Sequence, residues 1–196
     1  MTDPDPYTER LKRLSNSRWK NVLSVQAPYR WNLRRLEPER VLDVGCGIGR
    51  NLLHLNGNGV GVDTSRASVD VAKSRGCVAY AVEDFAASED AVARAFDSLL
   101  FAHVLEHMSL GDASNLVREY LPYIRPSGQV IVIVPQEAGY ASDSTHVNFL
   151  EASDIADLMD GCGLAEIRDY SFPFPRAFGR VFRYNETVVV GRVPDW

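Results

Sequence analysis

From residue 40 onward, short apolar runs alternate with amphipathic stretches, regularly enough to predict most elements of the chain. RVLDVG, at 40–45, reads as a short buried strand followed by a helix through Leu52–Leu55. GVGVD at 59–63 is a second strand, and SRASVDVAKSRG at 65–76 is a helix that Gly76 ends. CVAYAV at 77–82 is a third strand, residues 88–95 a helix, and FDSLLFA at 96–102 a fourth strand. A helix over 112–121 leads into GQVIVIVP at 128–135, whose unbroken β-branched run predicts a strand covered on both faces. A polar loop over 136–149 follows, rich in Gly, Ser and Asp. A helix over 151–163 and two extended segments, 164–172 and 180–192, close the chain. Strands alternating with helices predict an α/β architecture: a doubly wound, mainly parallel sheet with helices on both faces.

Ahead of this pattern, a polar leader gives way to residues 7–36, which read as helix, or as two helices broken near Pro28. From Arg10 to Arg35 there are eight Lys/Arg and no acid, with Trp19, Tyr29 and Trp31 interleaved. Such a stretch suits an amphipathic cover with a solvated basic face, and equally a lid that offers Arg and aromatic contacts to a pocket.

Composition narrows the function classes. The chain has 196 residues, 45% hydrophobic and 24% charged, an ordinary globular balance. A net charge of −5 makes nucleic acid a poor partner, because duplex binders carry a basic surface. Cys46, Cys77 and Cys162 are too few and too scattered for a disulfide framework or a cysteine zinc site. The start, MTDPDPYTER, does not resemble a signal peptide, and VIVIVP is far short of the ~20 residues of a spanning helix. A cytoplasmic protein without a membrane partner is the expectation.

The candidate chemistry begins at VLDVGCGIGRN, where Gly45, Gly47 and Gly49 fall as a buried strand turns into a helix. In a doubly wound sheet that turn lies at the carboxyl edge, where ligands bind. Asp43 precedes Gly45 by two residues, and an acid there would repel a pyrophosphate. It would attract a cationic donor such as S-adenosylmethionine, which has a sulfonium and an ammonium and no phosphate. Asp63 ends the second strand and can accept both ribose hydroxyls; Asp84, after the third, can accept from an adenine amino group with Phe85 on the ring.

Taken in order, VLDVGCGIGRN, GVGVDTS, VEDF, FDSLLFAHVLEH and LPYIRPSGQVIVIVP, spanning about Val41 to Gly163, resemble the class I S-adenosylmethionine-dependent methyltransferases. The resemblance implies a Rossmann-like, seven-stranded sheet with one antiparallel edge strand and an N-terminal helical cover. It also implies a single domain, with 1–38 as helical lid and 39–196 as cofactor- and acceptor-binding core. Gly45, Cys46, Asp63, Asp84 and Phe85 would line the cofactor site, together with Asp43, Gly47, Thr64 and Ala102 at the same strand ends.

FAHVLEHM at 101–108 places His103, Glu106 and His107 within five positions. The His-x-x-Glu-His spacing also matches a zinc-peptidase pattern, but that motif needs a different scaffold. On a helix starting near Ala102 the three side chains would share one face and offer a divalent-metal site. VLEH resembles the ubiquinone-biosynthesis O-methyltransferases and their small-molecule relatives; those with a metal have Glu-x-x-Glu-His, and here His103 replaces the first Glu. His146, three residues after Asp143 in the later loop, is a further ligand or a general base, and His107, His146 and Asp143 are the catalytic candidates. Two imidazoles and a carboxylate suit Zn, Mn, Fe or Co better than Mg. His54 is expected to be structural.

For the acceptor, the Asn/Asp-Pro-Pro-aromatic motif of nitrogen-methylating relatives is absent after the fourth strand. Phe172, Phe174, Phe178, Arg183 and Tyr184 suit a ring, phenolic or saccharide, and suit packing between the last strands as well. The length and the DSTHVNFL loop resemble short bacterial O-methyltransferases of sugars, including mannosides. O-methylation of a small-molecule hydroxyl is therefore the leading expectation, with a saccharide first and a phenol or quinol second. N- or C-methylation of a metabolite, a catalytically silent cofactor-binding module, and a homodimer stay open.

Overall fold

The computed structural model describes residues 19–195. Residues 1–18, which carry the leader and the start of the basic stretch, lie outside the described residues. Helix α1 (Trp19–Arg35) leads into β1 (Val41–Val44), α2 (Arg50–His54), β2 (Gly59–Asp63), α3 (Arg66–Ser74), β3 (Val78–Ala81) and the short α4 (Val82–Phe85). There follow β4 (Phe96–Ala102), a 3-10 turn (Leu105–His107), α5 (Leu110–Tyr120) and β5 (Ile124–Pro135). The short α6 (Glu137–Tyr140), α7 (Ala152–Gly161), β6 (Ala165–Phe172), a 3-10 turn (Arg176–Arg180) and β7 (Glu186–Arg192) complete the fold.

The seven strands lie in the order β3-β2-β1-β4-β5-β7-β6. β1 to β5 pair in parallel, and β7 runs antiparallel to both β5 and β6. The one antiparallel strand thus lies at this edge, one place in from β6.

Period-two alternation divides the core between two faces. Leu42, Val44, Leu99, Phe101, Val130, Val132 and Val189 point to one cluster, which Val117 of α5 and Ile155 of α7 complete. Val41, Leu100, Ile131, Ile133, Val188 and Val190 point to the other, against Leu33 of α1, Leu52 of α2 and Val69 of α3. Gly61 lets the turn after β1 and α2 approach β2 closely: a Cβ there would meet the Cys46 sulfur at 2.5 Å and Leu52 at 3.0 Å.

Three local expectations change. Pro28 sits inside α1 without ending it. The stretch 88–95 is turns, not helix. There Asp90 is held by Arg40 (2.8 Å) and the Tyr80 hydroxyl (2.9 Å), while Arg94 takes a left-handed φ of 59° and bonds Pro122 O. Eight residues form too marginal a helix to resist these anchors. Nor does a helix start at Ala102. His103 donates its backbone N–H to Ile133 O (2.9 Å), extending the sheet ladder, and adopts φ 60°, so only the 3-10 turn at 105–107 follows. Among the described residues, no helix is long and apolar enough to cross a membrane.

Candidate active site

The turn after β1 is built on left-handed backbone. Gly45, Gly47 and Gly49 have φ of 79°, 52° and 77°, a region that costs glycine nothing. A Cβ on Gly45 would strike the Val104 side chain at 2.3 Å. The N–H groups of Gly45 and Cys46 donate to Val62 O (2.8 and 3.1 Å), tying the loop to β2. Asp63, ending β2 and only 7% exposed, accepts from Gly47 N–H (2.7 Å) with one oxygen and from Ser65 N–H (2.8 Å) with the other. A carboxylate has about four acceptor positions, so two remain for a ligand. Thr64 is exposed beside it. Because Val44 lies opposite Phe101, the half-buried Ala102 ends next to Gly45.

Asp43 faces α2 from within. It is fully buried, and both its oxygens lack a hydrogen-bond partner. Burial, with the charge of Asp63 added, pushes its pKa up to about 7, while Asn51 and Arg50 offset part of the shift.

Two side chains expected at the cofactor, those of Cys46 and Phe85, are buried in the core. The Cys46 side chain packs in the core against Gly61 and Leu52, its thiol bonding Gly47 O (3.6 Å), and burial, then the charges of Asp43 and Asp63, push that thiol up. Phe85 is 2% exposed and packs on Tyr123 (5.1 Å), Tyr120 and Tyr80, so its ring belongs to the core and not to a ligand wall. Asp84 stands at its strand end, half exposed, where the Arg66 guanidinium engages both its oxygens (2.6 and 3.2 Å) and holds its carboxyl below the usual range; as with Asp63, acceptor positions remain.

Beyond β4, a second cluster forms. The ligand atoms of Glu106, His107 and His146 lie within 4.8 Å of one another. Glu106 is 1% exposed; neither oxygen accepts a well-aligned hydrogen bond, and its ionic partner is the His103 ring, 3.3 Å away. His107 Nδ1–H donates to Thr145 O (3.1 Å), and His146 Nδ1–H donates to Tyr140 O (2.8 Å). A carbonyl only accepts, so each ring carries a proton on Nδ1, and in the neutral form its lone pair lies on Nε2. The rings are 4.9 Å apart; His146 stacks on Tyr140, and its Nε2 is 4.0 Å from Glu106.

The polar loop brings His146 here. Val147 and Asn148 donate their N–H groups to Glu106 O (2.9 and 3.1 Å), clamping the loop onto the 3-10 turn. Asp143 works one step back, accepting from Thr145 N–H (3.1 Å) and its hydroxyl (2.8 Å), and so presents the carbonyl that orients His107. His103 does not join the converging ligand atoms: its left-handed backbone sets the ring between two carboxylates. Its Nε2 lies 2.9 Å from Glu186 and its Nδ1 3.3 Å from Glu106. Burial opposes its charge, but the two carboxylates outweigh burial and raise its pKa. Glu186, 83 residues away, has no signal in the sequence. His54 is structural in character: burial, then Arg50, Arg30 and Arg34, lower its pKa to about 4, and its carbonyl accepts from Arg34.

Comparison with known proteins decides the family. Residues 11–168 match the methyltransferase-domain family. The chain belongs to the S-adenosylmethionine-dependent methyltransferases of class I. Solved structures share the fold. A methyltransferase of Archaeoglobus fulgidus matches with TM-score 0.70 at 14% identity, over 96% of this chain and 100% of that one. One from Thermotoga maritima matches with TM-score 0.71 at 18% identity, over 95% and 97%. The magnesium protoporphyrin IX methyltransferase of Synechocystis, with bound S-adenosylmethionine, matches with TM-score 0.67 at 13% identity, over 97% and 92%. No curated protein matches the chain.

S-adenosylmethionine is the cofactor of this methyltransferase family. The charges of the crevice suit it. A buried carboxylate eased only in part by Asn51 and Arg50 is costly, and a cation nearby would relieve that cost where a pyrophosphate would add to it. Asp43 should therefore make cofactor affinity pH-dependent. Its pKa near 7 lies above the ordinary 3.8, so it is neutral below about pH 7 and charged above. Affinity for the cationic donor should rise as pH passes upward through 7, and Asp43→Asn should flatten the profile in calorimetric titrations. An unchanged profile in the variant would remove Asp43 from the binding energetics.

Proposed function

We propose that this methyltransferase methylates a hydroxyl of a small molecule, with a saccharide first among acceptors. The observation that carries the reading is the Glu106–His107–His146 cluster: two imidazoles whose Nδ1–H groups are committed to backbone carbonyls, around the buried Glu106 carboxylate.

S-adenosylmethionine, when bound, supplies a methyl group on a sulfonium, an electrophile that needs no further activation. Asp63, the Gly45–Gly49 turn and Thr64 would hold its adenosyl half, and Asp43 its cationic end. Ala102, small and beside Gly45, would leave room for the methyl group. The chain must then align the acceptor and remove its proton. His107 is the exposed member of the cluster, so its Nε2 is the base that an acceptor can reach. As the O–CH3 bond forms and the S–CH3 bond breaks, the hydroxyl proton passes to this nitrogen and the sulfur keeps the bonding pair. Glu106 would stabilise the resulting imidazolium, with His146 fixed behind it by Tyr140.

A second reading has its own support. The converging ligand atoms of Glu106, His107 and His146 match a two-histidine, one-carboxylate set and would hold a divalent ion such as Zn, Mn, Fe or Co. Such an ion would acidify an acceptor hydroxyl. Metal analysis and chelation separate the readings. The ion reading expects about one ion per chain and activity lost in excess EDTA and restored by Zn or Mn. Full activity in EDTA leaves His107 as the base. The acceptor itself is tested by mass spectrometry for an added CH2 over sugars, phenols and quinols. Methylation of phenols or quinols alone would favour the aromatic segment between β6 and β7 as the acceptor wall.

A further inference from the structure

The 173–185 segment joins β6 to β7 at the same sheet edge as the site, and much of it faces outward. Phe174, Phe178, Val181 and Tyr184 are 44%, 49%, 79% and 51% exposed. Isolated exposed apolar residues are normal, but a cluster of this kind on one short segment marks a contact surface.

The segment is held in place from beneath by a satisfied polar network. Asn185, fully buried, donates to Gln136 Oε1 (2.8 Å), Ser171 Oγ (2.9 Å) and Phe174 O (3.1 Å), and accepts from Phe174 N–H (2.9 Å). Gln136, 1% exposed, donates in turn to Ser171 Oγ and Glu186 O. Half-buried Phe182 packs against Phe174 (5.2 Å) and Tyr184 (5.8 Å). The apolar side chains therefore project from a fixed base.

Charge selects the occupant. Residues 173–185 contain three arginines and no acid, in a chain of net charge −5. Arg176 is engaged by Glu137 (2.6 Å), while Arg180 and Arg183 are exposed, Arg183 lying over the Tyr184 ring. The surface continues onto α1. Tyr29 donates its hydroxyl to Tyr184 O (2.7 Å), and Trp31, 56% exposed, stacks on Phe172 with Arg35 over its ring. A second copy of the chain, docked symmetrically, would press these arginines against their own counterparts. An anionic bilayer offers the opposite charge to the arginines and an apolar layer to the rings.

We infer that this basic, aromatic face docks the protein on the surface of an anionic membrane. The contact is peripheral and departs from the expectation that no membrane is involved. It does not rest on the acceptor reading, and it would turn the carboxyl edge of the sheet toward the bilayer.

The test is sedimentation of the full chain with vesicles of phosphatidylcholine alone and of phosphatidylcholine with equal phosphatidylglycerol. Binding to the anionic vesicles, weakened by salt, is expected. Phe178→Ser with Val181→Asp should reduce it roughly tenfold. Arg180→Ala with Arg183→Ala should reduce it about fivefold for each arginine removed. Melting temperature and S-adenosylmethionine affinity should stay unchanged in both pairs, which separates this result from any failure at the active site. Three outcomes would overturn the inference: no sedimentation with either vesicle, variants that sediment like the parent chain, or a self-associating chain that Val181→Asp makes monomeric while vesicles bind neither form. Vesicle binding lost only in variants that also melt early would count against it too, since the loss would then follow unfolding.

Discussion

Replacing Asp63 with alanine is expected to weaken S-adenosylmethionine binding about 10- to 100-fold, since a charge-assisted contact contributes ~1.5–3 kcal/mol. Asp63 sits where two tasks meet. Its oxygens already accept from Gly47 N–H and Ser65 N–H, which fixes the glycine turn against the start of α3. Its remaining acceptor positions would meet the ribose hydroxyls. The alanine variant therefore loses the ligand contact and also leaves two N–H groups to find water, at about 1–3 kcal/mol for each one that stays buried. Affinity should fall in calorimetric titration, and melting temperature should fall with it. Reduced melting temperature with unchanged affinity would make Asp63 a structural residue of the turn. Asparagine should not rescue, because its amide group would point a donor at a backbone donor.

The second large effect is expected at the acceptor side. His107→Ala should lower turnover by about 10²- to 10⁴-fold, the usual contribution of a positioned base, and leave cofactor affinity unchanged. Glu106→Gln keeps the shape of the buried side chain and removes its charge, so it should also cut turnover while sparing the cofactor. His146→Ala distinguishes the two chemistries. With His107 as base, this change removes a supporting ring and costs less than His107→Ala. With a bound ion it removes a ligand, and the two histidine variants fall together and lose the metal. Single-turnover measurements at saturating cofactor are the suitable readout. A variant that only melts earlier, with normal turnover at low temperature, would assign its residue to packing.

What was legible in the chain follows from how local each signal is. Strand β2 and strand β4 coincide with GVGVD and FDSLLFA because a buried strand writes its apolar content into consecutive residues. The glycine turn was equally visible, since three alternating glycines have few uses besides a left-handed path between strand and helix. The family follows from these motifs taken in order.

The placement of side chains was less legible. Phe85 reads as a ligand-facing ring beside Asp84, and its burial among Tyr80, Tyr120 and Tyr123 depends on residues far along the chain. The pairing of Asp84 with Arg66, eighteen positions earlier, is likewise absent from the local motif. The His-x-x-Glu-His spacing implied one helical face, whereas His103 is drawn into the β5 ladder and its place is taken by His146, forty-three residues after it.

The succession of strands and helices along the chain, the left-handed turn and the acids at the strand ends were determined by the sequence itself, because hydrophobic periodicity and backbone sterics act over a few neighbouring residues. Which of those acids stay unpartnered, which histidines converge on Glu106, and which aromatic rings remain in solvent were decided only by the tertiary structure. The physical reason is that desolvation and charge pairing depend on every group within a few ångströms, and most of those groups come from distant parts of the chain.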